Sequence, residues 1–173
     1  MKYLWLLLLT IVVVGGCAGY QIGNESLYPS HIHTVYVPVF ESASLRRFLG
    51  EQLTEAVVKQ IEKTTPLKVV GDEASADSVL RGRLITDNKQ SLAPAPLGYT
   101  RLYQLNMTVR VTWVDRSGNT LRDCPPVPID PAAVDVQGNT NLVPEVGQSL
   151  ATAQQKAIQR MAERIVSLME SPW

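Results

Sequence analysis

The chain has 173 residues, with Lys plus Arg balanced against Asp plus Glu at 16 each, so it carries no basic field for nucleic acid, and its length suits one domain with a real core. Two cysteines and two histidines exclude most chemistry: there is no Cys/His metal spacing, no Gly-rich phosphate loop, and no nucleophile with a base beside it. An enzyme and a nucleic-acid binder are thereby set aside.

Met1 and Lys2 precede an apolar run from Tyr3 to Val14 that ends in Gly15, Gly16 and Cys17. A basic start, an apolar core shorter than the ~20 residues of a spanning helix, and small residues at its end predict a secretory signal over 1–16. Val14-Gly15-Gly16-Cys17 resembles a bacterial lipobox, with Val14 where a Leu is usual. That pattern makes Cys17 the lipid attachment site, bearing a diacylglycerol and, on its new amino terminus, an N-acyl chain of the palmitate kind. One chain holds a protein only marginally, at about 0.8 kcal/mol per buried methylene, so several chains replace a transmembrane helix. In such lipoproteins an Asp after the Cys signals inner-membrane retention; Ala18 stands here, which implies the periplasmic face of the outer membrane. No cofactor is expected beyond these acyl chains. With Cys17 lipidated, Cys124 has no disulfide partner and reads as a plain buried or loop thiol.

Residues 17–30, with Gly19, Gly23, Asn24 and Pro29, suit a tether, and a single folded domain is expected over 31–173. Val35, Val37 and Val39 alternate in a first strand from His33 to Phe40, whose Pro38 either ends regular pairing or faces outward. His31 and His33 flank its start. A helix capped by Ser42 or Ser44 follows, with Leu45, Phe48, Leu49, Leu53, Ala56, Val57 and Ile61 on one face, Arg46 and Arg47 among the charges on the other, and Thr65-Pro66 as its stop. Leu67–Val70 is a short strand. Ser78–Thr86 is another, in which Gly82 marks a bulge or a close approach and Arg81 and Arg83 share the open face.

Residues 87–100 read as a loop flanked by Lys89 and Arg101, with Tyr99 near its end. Beyond it, Tyr103, Leu105, Met107, Val109, Val111 and Trp113 alternate with Gln104, Asn106, Thr108, Arg110 and Thr112 in the clearest strand of the protein. Asp115–Asn119 turns the chain into a return strand, which Pro125, Pro126, Pro128 and Pro131 interrupt, and the polar run from Ala133 reads as a mobile loop. A second amphipathic helix starts near Pro144-Glu145, carries Val146, Leu150, Ala153, Ala157, Met161, Ile165 and Leu168, and stops at Pro172. Two helices with one stripe each and a sheet with one apolar face complete each other. The expected fold is an α+β two-layer sandwich, β-α-β-β-β-α, with a mostly four-stranded sheet, both helices on one face, and Leu53, Val57, Val109, Val111 and Ile165 meeting between the layers.

Several stretches together resemble the LptE family of lipopolysaccharide-assembly lipoproteins: Cys17-Ala18-Gly19-Tyr20, Val35–Phe40, the helix from Arg47 to Ile61, the alternating strand with Asp115-Arg116-Ser117-Gly118, and the ending from Met161 to Glu170. The resemblance implies a non-enzymatic lipoprotein that plugs an outer-membrane β-barrel of the LptD type, assists its assembly and delivers lipopolysaccharide to the outer leaflet. It also implies basic contacts to lipopolysaccharide, without aligning them to particular residues. Phosphates favour Arg and Lys, which makes Lys89, Arg101, Arg110, Arg81, Arg83 and the loop's Tyr99 the candidate lipopolysaccharide or partner contacts. The Pro125–Pro131 run departs from the family's cleaner strand. Other lipoproteins of this build, such as a peptidoglycan-synthase activator, a transporter auxiliary subunit or a secretion pilot, remain the alternative class.

Overall fold

A computed structural model describes residues 27–94, 100–121, 133–144, 147 and 149–170. Its elements are β1 (Thr34–Tyr36), β2 (Glu41–Ser42), α1 (Leu49–Thr64), β3 (Lys68–Val70), a 3-10 turn at Glu73–Ser75, β4 (Ser78–Pro94), β5 (Thr100–Asp115), β6 (Ala133–Leu142) and α2 (Leu150–Ser167). One mixed sheet runs β3-β1-β4-β5-β6, with β2 paired to β4 further along the edge that β1 uses. The first three strands run parallel to β4, and β4, β5 and β6 form an antiparallel meander. The fold is an α+β sandwich as the periodicities predict, with six strands in place of four.

Both helices pack on one sheet face. Leu53, Val57 and Ile61 of α1 and Met161 and Ile165 of α2 are fully buried against Leu80, Leu84, Met107, Val109, Val111 and Val136. The packed body reaches back to Tyr28, which is buried in the same cluster. Gly138 of β6 marks a close passage of α2, since a Cβ there would fall 2.9 Å from the Met161 methyl.

Five sequence expectations are corrected by the backbone. The strand expected from His33 to Phe40 shortens to Thr34–Tyr36, because pairing stops before Pro38 and resumes only at Glu41–Ser42. α1 starts at Leu49: Ser42 accepts from the Ser44 amide and Ser44 from the Arg46 amide, so these hydroxyls build a turn, and Phe48 sits left-handed at φ 61° ahead of the helix. Residues 87–94 continue β4, paired with β5 as far as Pro94 opposite Thr100. The run from Ala133 is not a loop but β6, in register with β5 from Tyr103↔Leu142 to Thr112↔Ala133. α2 also begins later than expected, at Leu150, where the Ser149 hydroxyl accepts the Thr152 amide at 3.1 Å. The Pro125–Pro131 run, Cys124 and Pro172 lie outside the described residues.

β1 is fastened to the start of β4 by Asp77, whose carboxylate accepts the His33 and Thr34 amides at 3.1 and 3.0 Å. The Asp77 amide returns a bond to the Thr34 hydroxyl at 2.8 Å. These bonds give the His33 position a backbone role at the strand start.

Candidate functional site

The face of the sheet turned away from the helices is built by one irregularity in β4. Register slips by one residue between Leu84 and Thr86, so Ile85 is extra and the side-chain parity of the strand inverts there. Before the bulge, Leu80 and Leu84 face the helices while Arg81 and Arg83 face outward. After it, the outward residues are Thr86, Asn88 and Gln90, each opposite a like residue on β5: Thr108, Asn106 and Gln104. β6 extends the same rungs with Gln137, Asn139 and Asn141. The open face therefore carries three consecutive rungs of three uncharged polar side chains: Thr-Thr-Gln, Asn-Asn-Asn and Gln-Gln-Asn.

A charged row closes this ladder at the bulge. Glu41, Arg83, Arg110 and Asp135 lie side by side across β2, β4, β5 and β6. Arg83 reaches Glu41 at 3.6 Å, and Arg110 holds Asp135 with two bonds of 2.8 and 3.1 Å. The bond from Arg110 is the main reason the Asp135 carboxyl sits below the usual carboxylate range. The two arginines are directly opposite one another, and a carboxylate flanks each on its outer side, so the row is neutral as a whole. Arg81 shares this face, and its guanidinium meets Glu73 at 2.5 Å.

The remaining candidates are distributed differently. Lys89 lies past the bulge and faces the helix side, opposite Leu105, with its Nζ 3.7 Å from the centroid of the Tyr103 ring. Tyr103 itself packs on the small apolar cluster of Leu105, Leu142 and Ala153, so Lys89 belongs to the tip of the β4–β5 hairpin and not to the arginine face. Arg101 is on β5, but its side chain lies outside the described residues, as do Tyr99 and Cys17.

Asn88, Gln90, Gln137, Asn139 and Asn141 carry no charge, so an expectation built on phosphate-binding cations does not single them out. The alternation Val134-x-Val136-x-Gly138-x-Thr140-x-Leu142 was the available signal for β6, with every intervening residue from Asp135 to Asn141 exposed. The inverted parity also sends Asp87 inward. Its carboxylate, with a side-chain exposure of 2%, pairs with Arg46 at 3.0 Å and accepts from the Ser44 hydroxyl, while Arg46 also donates to Gln154 of α2. Arg46, read from the sequence as solvated charge, thus ties the turn before α1 to both layers.

Nine amide and hydroxyl side chains on this strand surface offer donors and acceptors without net charge. Covering such groups costs far less than covering ions and is offset by hydrogen bonds to a polar partner or to shared water. Among the described residues no group of three or more His, Cys, Asp or Glu converges as a metal site, and no helix is long and apolar enough to cross a membrane.

The lipopolysaccharide-assembly family LptE matches residues 32–170 of the chain. No curated protein matches it in sequence. Among solved structures, the hypothetical protein CT253 from Chlamydia trachomatis is similar with a TM-score of 0.54 at 11% identity, over 78% of this chain and 94% of that one. The uncharacterized lipoprotein B from Nitrosomonas europaea has a TM-score of 0.50 at 13% identity, over 87% and 94%. A PelC variant, a dodecamer from Paraburkholderia phytofirmans, has a TM-score of 0.50 at 11% identity, over 84% and 92%. At these identities the solved structures speak for the fold alone.

Proposed function

The chain belongs to the LptE family of lipopolysaccharide-assembly proteins, and from that premise we propose that it is a non-enzymatic outer-membrane lipoprotein that partners a β-barrel of the LptD type. In this reading Cys17 carries the acyl chains, the domain lies on the periplasmic side, and its open sheet face packs against the polar lumen of the barrel during lipopolysaccharide transport and assembly.

The observation that carries the reading is the uncovered ladder of Thr, Asn and Gln rungs on β4, β5 and β6. A barrel lumen is lined with polar side chains, and a hydrogen-bonding surface whose rungs carry no charge is complementary to it. The charge-balanced row of Glu41, Arg83, Arg110 and Asp135 enters such an interface without an unpaired ion. Arg83 and Arg110 together remain the best placed of the candidate lipopolysaccharide contacts on this face, since adjacent guanidinium groups suit phosphate.

The test is isolation of the full, lipidated chain from envelopes in mild detergent. A stoichiometric outer-membrane β-barrel that survives washing supports the reading. A peptidoglycan synthase, a transporter or a secretin in its place, with no barrel, overturns it.

A further inference from the structure

The cleft between α2 and the outer edge of the sheet carries features that a barrel-facing surface does not account for. β6 is the last strand on its side and pairs with β5 alone. Its carbonyls at Gln137 and Asn139 point away from β5, because Arg164 donates to the first and Arg160 donates to the second at 3.4 Å. In an antiparallel strand the N–H and C=O of one residue point to the same side. The amide hydrogens of Gln137 and Asn139 therefore also face outward, and among the described residues no strand pairs with that edge. Arginines cover these two carbonyls and leave the two amides open.

The helix side of the cleft adds two cations. Lys156 and Arg160, one helical turn apart on α2, form a wall of a cavity of about 310 Å³ together with Asn139, Thr140 and Asn141. Among the described residues no carboxylate lines it, and neither Lys156 nor Arg160 has an acidic partner. Thr140 lines the same cavity, is only 4% exposed, and its hydroxyl is buried without a hydrogen-bond partner. A buried polar group left unpaired calls for an explanation such as an absent ligand.

We propose that this cleft is a binding site for a phosphate-type oxyanion. Lys156 and Arg160 supply the charge from the helix side, and the outward amide of Asn139 supplies a donor from the strand edge, beside the unpaired hydroxyl of Thr140. A tetrahedral oxyanion presents acceptor oxygens toward all three at once, whereas a planar carboxylate presents two oxygens in one plane, so the arrangement fits phosphate better. The phosphate can be borne by a lipid headgroup or be free. Only the lipid-borne source draws on the lipopolysaccharide reading given above; the site itself does not.

The test is titration calorimetry on the full chain in detergent micelles, with sodium pyrophosphate in one arm and lipopolysaccharide in the other. Wild type is compared with Lys156→Gln/Arg160→Gln and with Lys68→Gln on β3, at the other end of the sheet. Both cleft side chains are exposed, as is Lys68, so circular dichroism should show an unchanged fold. The expected result is binding in at least one arm that weakens tenfold or more in the double variant and less than twofold in Lys68→Gln. Loss in both arms identifies a general phosphate site, and loss in the lipopolysaccharide arm alone identifies a lipid-borne phosphate. The proposal is overturned if wild type binds neither ligand, or if the double variant binds both within twofold of wild type. Barrel co-isolation by the double variant is read separately, so failure of this site and failure of the barrel reading are distinguishable.

Discussion

Phe40 lies against the backbone of Gly82 so closely that a Cβ built on Gly82 would fall 2.5 Å from Cδ2 and 2.7 Å from Cζ of its ring. The glycine that interrupts the apolar pattern of β4 is therefore a seat for an aromatic side chain, which is itself 2% exposed. Gly82→Ala should displace the ring and cost about 1–3 kcal/mol, the range for overpacking a filled core. Urea denaturation gives the number. Gly71→Ala is the control: nothing lies within 4 Å of its Cβ position, so no loss is expected there.

The layer contact itself is tested by truncation. Ile165→Ala should destabilise the domain by about 2–4 kcal/mol and Val111→Ala by a smaller amount, since both side chains lie in the core between helices and sheet. Unchanged urea midpoints in both variants would mean that the apolar and open faces of β5 are assigned the wrong way round.

Asp77 makes acid stability predictable in sign. The Thr34 hydroxyl first, then the His33 and Thr34 amides and the charge of Arg116, hold its carboxyl below the usual carboxylate range. A depressed folded pKa stabilises the fold above the unfolded value of about 3.9, and that contribution is lost as pH falls through the folded value. Asp77→Asn should therefore be less stable than wild type at pH 7, with the difference shrinking below about pH 4. Urea midpoints measured between pH 2 and 7 test this.

Tyr28 sets the opposite limb. Burial, with the nearby Glu170 charge, pushes its phenol from 10.0 up to about 12. The raised value stabilises the fold fully below pH 10, and the contribution is lost as pH rises toward about 12. Tyr28→Phe should show a flatter stability curve than wild type across that window, read by the same denaturation assay.

The two helices, the alternating strand β5 and the burial of Leu53, Val57, Val109, Val111 and Ile165 were legible because each rests on a periodicity that burial enforces. The far half of β4 and all of β6 were not. Asn88, Lys89 and Gln90 lie at the hairpin end of the sheet, where neither face enters the main core, so no apolar alternation marks them. β6 carries Gly138, Asn139 and Asn141, residue types that by themselves signal turns, and their strand state is decided by pairing with β5. The candidate face followed the same divide. Arg110 and Thr108 were assigned to it from β5, whereas their partners Asp135 and Gln137 required β6, and the inward turn of Lys89 required the bulge at Ile85.

The charged row gives a prediction that separates binding from folding. The Arg110–Asp135 pair is about half exposed, with side-chain exposures of 49% and 46%, so Arg110→Ala should change stability by no more than ~1 kcal/mol. It should nonetheless weaken partner association modestly, because it leaves Asp135 without its cation inside the proposed interface. Urea midpoints measure the first effect, and detergent-resistant complex recovered per unit of folded protein measures the second.

The central claim, that the open face of β4, β5 and β6 is the surface that meets an outer-membrane barrel, is tested most directly by photo-crosslinking in living cells from Asn106 and Thr108 on that face, compared with Arg47 and Gln155 on the helix side. The account predicts adducts from Asn106 and Thr108 to a β-barrel outer-membrane protein. Silence at both positions, with adducts from Arg47 or Gln155 to a soluble periplasmic enzyme, would contradict it.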